Sequence, residues 1–241
     1  MSSIPKPFRL FALHPKALLV EWETKPSFIL SKKLVAIKKS LEGDSQVSRI
    51  TLGYHSILIH LNKKFENKVF WNKRIQQIQA ETEEIEFTKG LHWKIPVCYE
   101  KEYAPDLLAA SQALGIDSKN LIEIHSQKSY HVNFIGFLPG FLYLSGLDER
   151  LQLSRKKKPN LFVPSGSVGI GGSQTGIYPQ DSPGGWHVIG KTPIALFDPR
   201  NNPPCFASAG DMISFIPIDS KSFLKIKEQI QNGHFKLNPH D

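Results

Sequence analysis

The sequence predicts a two-domain α+β protein: a small ferredoxin-like α+β domain over 1–90, then a mainly-β domain, barrel or sandwich, over 91–241. Three observations predict it. The N-terminal third alternates strand-like and helix-like hydrophobic periods in the order ββαβαβ, the pattern of a ferredoxin-like unit with an added strand. Lys89-Gly90 then marks a joint where the pattern changes. Beyond it, short apolar runs alternate with close-set turn signals, most densely from Val163 to Pro193.

Each element follows from its residues. Phe8–Leu13 and Ala17–Trp22 flank His14-Pro15-Lys16 as strand, turn and strand. Ser27 reads as a helix cap ahead of Leu30, Leu34, Ile37 and Leu41, whose spacing makes one apolar helical face. The β-prone run from about Arg49 to Leu61 reads as one strand. Lys64–Thr82 reads as a helix with Trp71, Ile75 and Ile78 on one side, and Ile85 with Phe87 as a last short strand. In the second domain, His92–Tyr99 reads as a strand and Pro105–Gly115 as a helix with Pro105 in its first turn. Ser118–Ile124 reads as a Ser-capped helix and Tyr130–Phe137 as a strand. Phe162–Pro164, Val168–Ile170, Gly176–Tyr178, Trp186–Gly190, Ile194–Phe197 and Met212–Pro217 read as further strands, and Phe223, Ile226 and Ile230 as a closing helix.

Composition narrows the function classes. In 241 residues, 40% are hydrophobic, enough for a proper core, and no run approaches the ~18 apolar residues of a membrane helix. A cytoplasmic protein without membrane or nucleic-acid partners is expected. The net charge of +8 is spread along the chain, and its one dense run, Arg155-Lys156-Lys157-Lys158, suits an anionic substrate or an acidic partner. Cys98 and Cys205 stand alone without metal-ligand spacing, so free buried thiols and no metal site are expected.

In Val163–Pro193, glycine and proline alternate with single apolar residues and with Gln174, Thr175, Tyr178, Trp186 and His187. Glycine permits close backbone approach, so short strands with N–H groups open to a ligand are expected. Corners of a barrel without a ligand explain the same glycines equally well. Gly185–Thr192 fits G-x-x-x-x-G-K-[ST], but Trp, His, Val and Ile in its middle favour a strand over a phosphate loop. Gly169–Gly176 is a candidate N–H nest for an anion, with a bulged turn as the equal alternative. Gln174 and Thr175 carry the donors and acceptors to read an amide. Asp106, in a first helical turn, and His125, at a helix end, are titratable candidates whose positions also suit purely structural roles.

Several segments taken together resemble the family of 5-oxoprolinase B subunits, also labelled allophanate hydrolase subunit 1, which includes the kinase inhibitor KipI. They are Gly136-Phe-Leu-Pro-Gly-Phe141, Gly146-Leu-Asp-Glu-Arg150, Val163–Ile170, Gln174–Pro179, Ser182–Trp186, Ile189–Pro193 and Leu196-Phe-Asp-Pro199. The resemblance implies a cyclophilin-like barrel for the second domain. It implies a share in ATP-dependent opening of 5-oxo-L-proline to L-glutamate by a complex with A and C subunits, with ATP consumed by the complex. Carried over by motif, Arg155, Gln174, Tyr178 and His125 are the catalytic candidates, and Pro164, Gly166, Ser167, Thr175, Trp186 and Asp106 the substrate-binding ones. The glycine-rich face of the barrel is expected to stand open and to bind the C subunit. Pro159-Asn160 and Lys191 depart from the family's usual arginines at those places. Two alternatives remain open: a regulator that docks on a sensor histidine kinase, and a piece of a biotin-dependent urea or allophanate system. The only methionines are Met1 and Met212, so no Met-Lys-Met biotin site lies on this chain.

Overall fold

A computed structural model describes residues 7–24, 27–83 and 90–239. The chain divides into two compact units, Met1–Lys89 and Gly90–Asp241.

In the first unit, β1 (Phe8–His14) and β2 (Ala17–Trp22) form a hairpin, followed by α1 (Phe28–Leu41), β3 (Val47–Leu52), β4 (Ser56–Leu61) and α2 (Lys68–Glu83). The sheet order is β1-β2-β4-β3, antiparallel throughout. Ser27 caps α1 by accepting a hydrogen bond from the Leu30 N–H, which satisfies one of the helix's free donors. Leu30, Leu34, Ile37 and Leu41 are all buried, as their spacing requires. Leu18, Val20 and Trp22 of β2 and Ile57, Ile59 and Leu61 of β4 supply the sheet's buried face at period 2.

The single strand expected over Arg49–Leu61 is instead a hairpin. Gly53 donates its N–H to the Ser56 carbonyl and turns the chain, so glycine inside a β-prone run acted as punctuation. The described elements run β1-β2-α1-β3-β4-α2, and β1 lies at the edge of the sheet beside β2. The strand expected at Ile85 and Phe87 lies outside the described residues.

The second unit is a closed barrel in the order β10-β7-β6-β13-β5-β12-β9, with a two-stranded ribbon, β8 with β11. The barrel strands are β5 (His92–Cys98), β6 (Ser129–Ile135), β7 (Leu142–Ser145), β9 (Ser167–Gly171), β10 (Gln174–Ile177), β12 (His187–Lys191) and β13 (Met212–Ile218). The ribbon pairs β8 (Asn160–Val163) with β11 (Ser182–Gly184). β5 and β13 run parallel, and the other barrel pairs are antiparallel. Closure removes the unpaired strand edges that an open sheet would expose. Ile95, Val97, Val132, Leu142, Leu144, Val168, Ile170, Ile177, Ile189, Ile213 and Phe215 fill the interior and belong to one core.

Among the described residues, three α-helices, α3 (Leu107–Leu114), α4 (Ser118–Ser126) and α5 (Ser220–Gln231), and one 3-10 turn at Glu149–Leu151 complete the unit. α3 begins after Asp106, so Pro105 stands outside the helix, before its cap. Asp117, not Ser118, caps α4, accepting from the Asn120 N–H at 2.9 Å. Ile194–Phe197 forms no strand: Pro193 and Pro199 bracket it and lack the ladder donor, leaving one bridge between Phe197 and Cys205.

Candidate functional site

The outer face of the barrel is built around Trp186. On β9 and β10, Gly169, Gly171 and Gly176 leave a floor without side chains, and the indole lies directly on it. A Cβ at Gly171 would collide with the indole Cδ1, and one at Gly176 would come within 2.9 Å of Cζ3. The glycine-rich face expected to stand open is therefore closed by Trp186, and these glycines seat a side chain. They form no N–H nest either, because Gly169, Gly171, Gln174 and Gly176 are register partners in the β9–β10 ladder. Gly185–Thr192 likewise runs into β12, a barrel strand, and not into a phosphate loop.

Around the indole, Phe141, Val163, Tyr178 and Val188 form a second core, with Tyr143 packed against it. Phe141 meets Trp186 and Tyr178 edge-on at ring separations of 5.5 and 5.3 Å, a favourable arrangement for aromatic quadrupoles. A Cβ at Gly184 would overlap the Tyr178 hydroxyl, so the ribbon's glycine lets the phenol lie against it.

Above this cluster opens a pocket of ≈ 100 Å³ lined by Phe137, Phe141, Tyr143, Arg155, Tyr178, Gly184, Gly185 and Trp186. The Arg155 guanidinium sits 5.7 Å over the Trp186 ring, and among the described residues no carboxylate pairs with it. Burial pushes the Tyr143 and Tyr178 phenols above their ordinary range, and the Arg155 charge pulls both back only in part. Both stay protonated near neutral pH. The pocket thus combines one free cation with two neutral phenols over an aromatic floor.

The neighbours of Arg155 in sequence hold it there. His187 Nε2 bonds the Ser154 carbonyl at 3.0 Å, and the Lys156 N–H donates to the Gly185 carbonyl at 2.8 Å. The Lys156 ammonium donates to Asp106 Oδ1 at 2.6 Å, while Asp106 Oδ2 accepts the Val188 N–H at 2.8 Å. Both carboxylate oxygens of Asp106 are thereby engaged within the protein. Asp106 clamps the basic loop to β12 and does not line the pocket.

The remaining sequence candidates are divided by the barrel wall. His125 and Thr175 lie fully buried inside. Thr175 donates its only hydroxyl proton to the Gly169 carbonyl at 3.0 Å, so it accepts from His125 Nε2–H at 2.9 Å. Nδ1 of the neutral ring then accepts the Tyr99 hydroxyl at 2.9 Å. Burial lowers the His125 pKa to about 3, and Phe215 stacks on the ring at 4.7 Å. This closed relay is a structural part of the barrel interior, away from the pocket.

Pro164, Gly166 and Ser167 form a tight turn outside the pocket's lining. The Ser167 N–H donates to the Pro164 carbonyl and the Gly166 N–H to the Tyr178 carbonyl. Gly166 has φ 81° and its α-carbon faces the Thr192 carbonyl, so only glycine fits there. Gln174 shares the outer face with Gly176 but does not line the pocket, and its Oε1 is buried without a hydrogen-bond partner.

Of the candidates, Arg155, Tyr178 and Trp186 converge. Tyr143 was missed, and Phe137, whose pairing with Phe141 in the sequence suits a core place better than a ligand platform, lines the pocket. The alternation Leu142-Tyr143-Leu144 carried the signal for Tyr143, with two apolar residues inward and a phenol outward. Phe137, 67% exposed with φ 68° in the Gly136–Gly140 turn, stands at the pocket mouth. Cys98 and Cys205 are free and buried. Among the described residues there is no group of His, Cys, Asp and Glu that could hold a metal, and no helix long and apolar enough to cross a membrane.

Residues 8–207 match the family model for the carboxyltransferase domain, subdomain C and D. The crystal structure of K. lactis urea amidolyase superposes with a TM-score of 0.78 at 20% identity, covering 100% of this chain and 16% of that one, which shows the fold alone. The 5-oxoprolinase B subunit of Escherichia coli O157:H7 is 35% identical over 209 residues, spanning 87% of this chain and 95% of the relative. The Bacillus subtilis B subunit is 45% identical over 136 residues, only 56% of this chain and 57% of the relative. The chain belongs to the carboxyltransferase subdomain C and D family, in the group of the 5-oxoprolinase B subunits.

Proposed function

We propose that this chain is the B subunit of an ATP-dependent 5-oxoprolinase, a hydrolase that opens the lactam 5-oxo-L-proline to L-glutamate together with A and C subunits. The observation that carries the reading is the 35% identity to a 5-oxoprolinase B subunit across nearly the whole of both chains. The pocket supports it. An unpaired guanidinium suits the lactam's carboxylate, the flat ring suits the indole and phenyl walls, and a volume of ≈ 100 Å³ suits one small ring far better than a nucleotide.

A lactam is a resonance-stabilised amide, and phosphorylation of its oxygen makes the carbon a far better electrophile for water. In this reading Arg155 anchors the substrate, and the Tyr143 and Tyr178 hydroxyls donate to oxygen as charge builds there. Neither glycine motif is a phosphate cradle, so ATP is assigned to a site that a partner subunit completes. No biotin is assigned to this chain. The barrel is read as cyclophilin-like and the first unit as ferredoxin-like, with β1 as the added edge strand. The assembly is placed in the cytoplasm, where ATP is available.

The test is reconstitution. The chain alone should form no glutamate from 5-oxoproline and ATP, and the chain with the A and C subunits should. Arg155→Ala should lower kcat/KM of the assembled enzyme about 100-fold. Normal turnover by that variant would remove Arg155 from the site, and a complete complex without activity would remove the function.

A further inference from the structure

The β8–β11 ribbon packs on the barrel through Val163 but pairs with no barrel strand, and no other strand among the described residues extends it. β8 pairs only with β11, so its other edge keeps its backbone donors and acceptors unpaired by a strand. Side chains alternate along β8: Val163 points into the aromatic cluster beneath the pocket, Leu161 lies on that same side, and Phe162 lies on the other. Yet Leu161 is 89% exposed and Phe162 62% exposed, an apolar display on both faces of one short strand. Phe137, also exposed, stands by Gly184 of the ribbon at the pocket mouth. Just upstream, Lys157 and Lys158 are exposed, and among the described residues neither has a carboxylate partner.

We infer that this ribbon is the docking element for the C subunit of the complex, which would offer it an apolar cleft rimmed with Asp and Glu and a free strand edge. This rests on the function proposed above. Charge decides between occupants. A second copy of this chain would bring Lys157 and Lys158 against their own kind in a protein of net charge +8. A bilayer surface meets one face of a strand, whereas Leu161 and Phe162 need cover on two, which a cleft with strand addition supplies. Because the ribbon also carries Gly184, a docked subunit would stand over the pocket and close its mouth.

The experiment measures affinity of the full-length chain for the purified C subunit of 5-oxoprolinase, the probe, by calorimetry at two salt concentrations. Wild-type should bind. Leu161→Ser with Phe162→Ser should weaken binding at least about 10-fold, and Lys157→Glu with Lys158→Glu should weaken it and flatten its salt dependence, both with unchanged Tm. If wild-type binds and both variants bind equally well, the ribbon is not the interface and the proposed function stands. If wild-type does not bind the C subunit, that function fails and the interface with it. Sedimentation with phosphatidylglycerol vesicles, or self-association abolished by the same variants, would overturn the proposal in favour of a membrane or a homodimer.

Discussion

Strand β10 serves two environments with alternate residues. Thr175 and Ile177 face the sealed barrel interior, where every polar group of the Tyr99–His125–Thr175 relay has a partner. Gln174 and Gly176 face outward, where Arg155 and the Gln174 Oε1 are left without one among the described residues. A residue's place in the strand's two-residue period separates the sealed interior from the outer face that carries the pocket. Proximity in sequence does not.

Substitutions on the two sides should therefore behave differently, and the largest effect belongs outside. Trp186→Ala empties the floor beneath Arg155 and should cost about 3–5 kcal/mol in urea unfolding, besides abolishing turnover of the complex. A loss under ~1 kcal/mol would mean that the aromatic cluster is not a second core.

Next comes pH. Unfolded, His125 takes a proton near its ordinary 6.5, while the folded barrel refuses it until about 3. Below pH 6.5 the unfolded state thus binds more protons, and stability falls as pH drops toward 3, by about 2 kcal/mol at pH 5. Urea midpoints at pH 7 and 5 read this directly. A flat profile would place His125 in contact with water.

Thr175→Val leaves the His125 Nε2–H buried without an acceptor and should cost about 1–2 kcal/mol, with KM and kcat of the assembled complex unchanged. A raised KM would join the two sides of β10 functionally. The smallest stability change is expected for Arg155→Ala, about 0.5–1 kcal/mol from the lost contact with the indole, despite its large effect on turnover.

Much of the fold was legible because it follows from local periodicity. The apolar face of α1, its Ser27 cap and most barrel strands stand where their patterns put them. Gly53 and the pair Pro193 and Pro199 were the places where a β-prone run concealed a break, and a backbone rule overrode propensity. The site was less legible. Arg155, Tyr178 and Trp186 could be nominated by motif, but His125 and Thr175 could not be set aside, because which face of β10 looks inward depends on register with β7 and β9. The glycines misled for a related reason. A missing Cβ frees the backbone for a turn and equally makes room for a neighbour, and the sequence does not distinguish the two.

The seat beneath Trp186 constrains how this surface can be redesigned. Since three bare positions hold the imprint of one large ring, a methyl added at Gly171 can be tolerated only if position 186 shrinks at the same time. Variation here must travel in couples, and a library that randomises either place by itself will return mostly misfolded clones.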